Sequence, residues 1–92
     1  MYNKKGDRVE KLIKNIEKLH TTKLEIERIK RNLKLNTNNV VEYCKEKILD
    51  KNTKITKKGK NYYCEIKNIV ITINSYSHTI ITAHMKEEKN GI

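Results

Sequence analysis

The sequence predicts an α+β fold, with helices first and an antiparallel sheet last. Three observations carry this. Apolar residues recur at helical spacing through the first half. The last third is rich in β-branched and aromatic residues that alternate with polar ones. The two patterns are segregated along the chain, whereas an α/β fold would interleave them. Two to three N-terminal helices are therefore expected on one face of a C-terminal four-stranded antiparallel sheet. At 92 residues the chain makes one domain, with a helical part over 7–50 and a sheet over 53–86. A disordered start (1–6) and a polar tail (87–92) are expected to flank them.

Asp7 and Glu10 form a capping box that opens the first helix. Its apolar face is Val9, Leu12, Ile13, Ile16 and Leu19. His20-Thr21-Thr22 interrupts the period, and Thr22 with Glu25 opens a second helix. Leu24, Ile26, Ile29 and Leu33 are its stripe. Asn36-Thr37-Asn38 makes a turn. Asn39 with Glu42 caps a third helix to about Leu49, with Val40, Val41, Cys44 and Ile48 inward.

Thr53 to Thr56 reads as a short first strand, and Lys57-Lys58-Gly59-Lys60 as a basic turn where Gly59 permits positive φ. A strand from about Tyr62 and a final hairpin around Ser75-Tyr76-Ser77 follow. In that hairpin Ile69, Ile71 and Ile73 alternate with Val70, Thr72 and Asn74. Thr79, Ile81, Ala83 and Met85 then alternate with His78, Ile80, Thr82 and His84. With a period of two, one face is almost wholly apolar. The other gathers Thr72, Asn74, His78, Thr82 and His84, with Val70 and Ile80 among them.

With no Phe, Trp or Pro, the core must come from Ile, Leu, Val and Tyr. That supplies one small core of marginal stability. The net charge of +10 points to a polyanionic partner: RNA, DNA, a nucleotide or an acidic protein. No apolar run approaches the ~18 residues of a membrane span, and no secretory signal is visible. A cytoplasmic protein with reduced thiols and no membrane partner is expected. Cys44 and Cys64 lack metal-type spacing and read as packing residues. No cofactor is expected either, since no Gly-rich phosphate loop and no paired-carboxylate motif is present.

Several stretches together resemble an uncharacterised bacterial family known as domain of unknown function 3781. They are His20-Thr21-Thr22, Arg28-Ile29 with Asn32-Leu33, Val40-Val41-Glu42 with Cys44-Lys45, Lys58-Gly59-Lys60-Asn61, and Ile71 to Asn74 continuing through Ser77 to His84. That family usually has Gly at the position of Glu25, Trp near Tyr62 and Tyr at His78. The resemblance implies no activity. The helix-then-sheet order and the closing Ile80-Ile81-Thr82-Ala83-His84 are also similar to the toxin nuclease superfamily of barnase, EndoU, colicin and RelE-type RNases. That similarity implies a metal-independent RNase, a class often carried on mobile elements.

Metal-independent RNA cleavage needs a base for the 2′-OH, an acid for the leaving oxygen and cations for the phosphorane. Imidazole, with its pKa near ~6.5, suits both proton roles. His84 and His20 are the candidate proton carriers, with Thr82 orienting the phosphate. Arg28, Lys58, Lys60 and Asn74 are candidate phosphate contacts, and Tyr62 a stacking platform. Plainer readings stand beside these. His20 answers a helix dipole, His78 is an exposed loop residue, Thr72 and Thr82 are good strand formers, and Arg28 pairs with Glu25 or Glu27. The functional classes are thus a small RNase of toxin type, a non-catalytic RNA- or DNA-binding module, or an inhibitor that binds a nucleoprotein complex. The small core and a free sheet edge make a homodimer reasonable.

Overall fold

The computed structural model describes residues 6–86, with side chains from Val9 onward. Residues 1–5 of the expected disordered start, the side chain of the expected Asp7 cap and the tail at 87–92 lie outside these, whereas Gly6 already belongs to α1. The elements are α1 (Gly6–Lys14), a short 3-10 helix (Ile16–Lys18), α2 (Lys23–Leu33), α3 (Val40–Leu49), β1 (Lys54–Lys58), β2 (Asn61–Ile66), β3 (Ile69–Asn74) and β4 (Ile80–Met85). The strands form one antiparallel meander in the order β1-β2-β3-β4. The fold is α+β, as the sequence predicts.

The first helix stops sooner than its apolar stripe. The Asn15 side-chain amide donates to the Lys11 carbonyl at 2.8 Å, a local bond that competes with helix continuation. The chain tightens into the 3-10 turn, which still buries Ile16 and Leu19. At α2 the expected cap forms: the Thr22 hydroxyl accepts from the Glu25 N–H at 3.1 Å. Leu24 falls off the stripe and is 62% exposed, while Ile29 is fully buried. At α3 the Asn39 side chain makes no capping bond; its backbone N–H donates to the Thr37 hydroxyl instead.

β1 runs past its expected end, because Lys57 and Lys58 pair with Tyr62 and Asn61. The turn is therefore only Gly59-Lys60, with Gly59 at φ 62°. A two-residue hairpin loop asks for that conformation, and glycine adopts it without steric cost. The core lies between the helices and one sheet face. Tyr62, Cys64, Ile71, Ile73, Ile80 and Ala83 from the sheet meet Leu12, Ile29, Val40, Cys44 and Ile48 from the helices.

Strict alternation fails in β4. Thr72 lies opposite Thr82 but Ile73 lies opposite Ile80, so Ile81 is the extra residue of a β-bulge. Ile80 turns into the core and Ile81 is 41% exposed, the reverse of the sequence expectation. His78 also departs from it. Its backbone takes φ 60°, and its side chain is buried rather than exposed. Among the described residues its Nε2 has no hydrogen-bond partner.

The outer edge of β4 is sealed. The His20 N–H donates to the His78 carbonyl and the Ile80 N–H to the His20 carbonyl. The Thr21 hydroxyl donates to the Ile80 carbonyl at 2.8 Å, and the Asn32 amide to the Ala83 carbonyl at 3.2 Å. These bonds occupy polar groups that an open edge would offer to another chain. At the other end of the sheet, β1 pairs only with β2 among the described strands and carries Lys54, Lys57 and Lys58.

Both cysteines are buried and free. Burial pushes the thiols of Cys44 and Cys64 up to about 12, with Cys44 adding to the effect on Cys64. The thiolate is the reactive form. Neither cysteine should therefore react with a thiol reagent in native protein at neutral pH, and both should react once denaturant unfolds it. Stoichiometric labelling without unfolding would contradict this packing. Among the described residues no helix is long and apolar enough to cross a membrane.

Candidate functional site

The helices cover one sheet face and leave the other open. Strand register fixes what the open face displays. One row runs Thr56, Tyr63, Thr72, Thr82, in which Thr72 is itself buried, the next Lys54, Glu65, Val70, His84, and a third Lys58, Asn61, Asn74. Tyr63 is the aromatic of this face. The Asn61 amide donates to its hydroxyl at 3.3 Å, which ties the phenol to the next residue on the same side of the strand. A shallow hollow of about 410 Å³ lies beside it, lined by Thr56, Lys58, Tyr63 and Glu65. Glu65 is the one carboxylate in these rows, and Lys86 offsets it at 3.4 Å. Lys54, Lys58 and His84 are exposed and have no ion pair among the described residues.

The face brings together some of the sequence candidates. Thr82, His84 and Lys58 lie on it, and Lys60 sits in the adjoining turn. Asn74 lies at its rim, but its side chain is occupied. Its Oδ1 accepts from the Tyr76 and Ser77 N–H groups, both at 2.9 Å, and so shapes the β3–β4 loop. Tyr62 is not on this face. Strand alternation turns it toward the helices, where it is 1% exposed, so it offers no stacking surface, and Tyr63 is the tyrosine that alternation puts on the open face. The sequence signal was the phase of β2: Tyr63 shares its side with Glu65 and Asn61, and Tyr62 shares its side with Cys64. Arg28 lies on α2, in the helical layer, and pairs with Glu25 at 3.6 Å. The arginine end is exposed and the glutamate end half-buried, so the pair holds Arg28 in the helical layer, away from the sheet face.

The two candidate imidazoles are separated. His20 bridges to Thr79, ahead of β4, whereas His84 lies near the far end of that strand. Thr79 to His84 spans roughly 15 Å of extended chain at ~3.3 Å per residue. One phosphate cannot contact both rings across that span. His20 has a settled environment of its own. Its Nδ1 donates to the Lys18 carbonyl at 2.9 Å, since a carbonyl only accepts. In the neutral ring Nε2 then accepts from the Thr79 hydroxyl at 3.1 Å, and Thr79 meets the Ser77 hydroxyl at 2.7 Å. The His84 Nδ1 lies 3.1 Å from the Met85 carbonyl. Among the described residues no group of three or more His, Cys, Asp or Glu could hold a metal.

Fold and face together define a small basic α+β domain with one sheet surface left uncovered. The family match runs over residues 13–84, to the family described as Protein of unknown function (DUF3781). The chain belongs to this family. Residues that carry the sequence resemblance meet along the β4 edge: His20-Thr21 and Asn32 on one side and the Ser77 to His84 block on the other. No curated protein and no solved structure matches the chain, so the toxin-nuclease likeness gains no support.

Proposed function

We propose that this protein binds single-stranded nucleic acid, RNA in the first instance, on the uncovered sheet face. The observation that carries this is Tyr63 set among Lys54, Lys58 and His84 on a helix-free surface, in a chain of net charge +10. The lysines neutralise phosphates and release their condensed counterions. The Tyr63 ring supplies a platform for a base, a contact every base can make. The hydroxyls of Thr56 and Thr82 lie within the same row and offer hydrogen bonds to sugar or phosphate.

Binding is favoured over cleavage because the imidazoles do not converge. An RNase would need a second proton carrier beside His84, and His20 stands at the other end of the strand. The protein is accordingly expected to leave RNA intact in EDTA. Fluorescence anisotropy with a labelled RNA 12-mer at several salt concentrations tests the reading. For single strands the slope of log K against log salt is about −0.7 per neutralised phosphate. Lys58→Ala should flatten it by about that amount. Tyr63→Ala should weaken binding by about 1–3 kcal/mol while leaving the salt slope alone. Affinity that is absent, or indifferent to salt, would sink the proposal.

A further inference from the structure

A second hollow lies at the turn end of the sheet, on the helical side. It has a volume of about 240 Å³ and is lined by Lys11, Lys57, Tyr62, Ser75 and Tyr76. That is below the roughly 300 Å³ at which sites for whole small molecules begin. It fits one end group of a ligand. Two of the five lining residues are lysines, and neither is ion-paired among the described residues. The Lys57 ammonium gives one hydrogen bond, to the Gly59 carbonyl at 2.9 Å, and an ammonium has three donors. Tyr76 is 76% exposed and held by its N–H bond to Asn74. Its ring stands at the edge of a hollow that two lysines help to line.

Charge selects the end group. A phosphate monoester carries about −1.5 to −2 at neutral pH and offers three acceptor oxygens. An internal phosphodiester carries one negative charge. Two lysines lining one small space match the monoester better. Position supports the same end group. Lys57 and Lys58 are consecutive in β1 and point to opposite faces, so the hollow and the open face adjoin across the Gly59-Lys60 turn. The Ser75 N–H donates to the Lys60 carbonyl at 2.8 Å and joins the loop to that turn. The Gly59-Lys60 turn is what separates Lys58 on the open face from Lys57 in the hollow.

We propose that this hollow holds the terminal phosphate of the bound strand, gripped by Lys11 and Lys57, with Tyr76 stacked on the terminal nucleoside. The inference rests on the nucleic-acid reading for the strand but not for the end group, so a mononucleotide tests the pocket alone. In NMR titrations AMP should shift the amides of Lys11 and Tyr76, and adenosine should not. Lys11→Gln and Lys57→Gln should each weaken AMP by about tenfold, the effect of one lost charge-assisted hydrogen bond. AMP leaving those amides unmoved, adenosine binding as well as AMP, or both variants matching wild type would overturn the proposal. A second arm compares one RNA 12-mer with hydroxyl, 5′-phosphate or 3′-phosphate ends. A preference of about tenfold for one phosphorylated end, lost in Lys11→Gln, is expected. Equal affinity for all three also overturns the pocket while leaving the sheet-face reading in place. AMP bound at these residues with no 12-mer bound would instead remove the sheet-face reading and keep the pocket.

Discussion

Replacing Ile71 by alanine should remove about 2–5 kcal/mol of stability. Domains of this kind hold only about 5–15 kcal/mol in total, so the variant should lie close to unfolding. Ile71 is fully buried, and its cross-strand partners are Cys64 and Ala83. Both are small, so neither side chain can swing in to refill the space. The control is Ile81→Ala. Ile81 occupies the bulge and is largely outside the core, so its loss should cost within about 0.5 kcal/mol, as surface changes do. Urea unfolding of the two variants measures the contrast. Equal losses would mean that β4 has no bulge and that Ile81, not Ile80, points inward.

Stability should fall on mild acidification, and His78 should be the cause. Burial holds its pKa below the usual 6.5, and the charges of Lys18, Lys11 and His20 push it the same way. The neutral ring is thus the form the fold accepts. Between the lowered folded pKa and 6.5 the unfolded chain binds more protons than the native one. Stability then rises with pH across that window. It is complete above 6.5, declines as pH falls through the window, and stops declining below the folded pKa, where both states are protonated. His78→Asn should abolish this limb, since asparagine tolerates the positive φ and carries no titrating ring. Denaturation midpoints at pH 5 and pH 7.5 decide it. A gap between wild type and variant that is the same at both pH values would acquit His78.

Much of the architecture was legible because helices and strands signal by period, and the two periods occupy separate halves of the chain. The Thr22 cap, the αβ boundary and the Gly59 turn followed from local chemistry. Ile80 and Ile81 did not. A bulge inserts one residue without altering composition, so a strict two-residue period runs straight through it. His78 misled for a related reason: polarity suggests exposure, whereas the bonds of Asn74 fold the loop and turn the imidazole inward. Alternation put Thr82 and His84 on the open face, whereas Lys58 was read as part of a basic turn and joins that face only because β1 runs on to it. Arg28 and His20 were not separable from them by sequence, because their distance from the face depends on how the helical layer docks.

The seal along β4 bears on how copies of this protein can meet. A sheet with both borders available can add strands from either side, and identical molecules then join end on end without limit. Here one border is occupied by the molecule's own His20, Thr21 and Asn32. Strand addition at the covered stretch of β4 would first have to break these bonds, so β1 is the easier border for a second copy to approach, although the lysines of two approaching copies repel there.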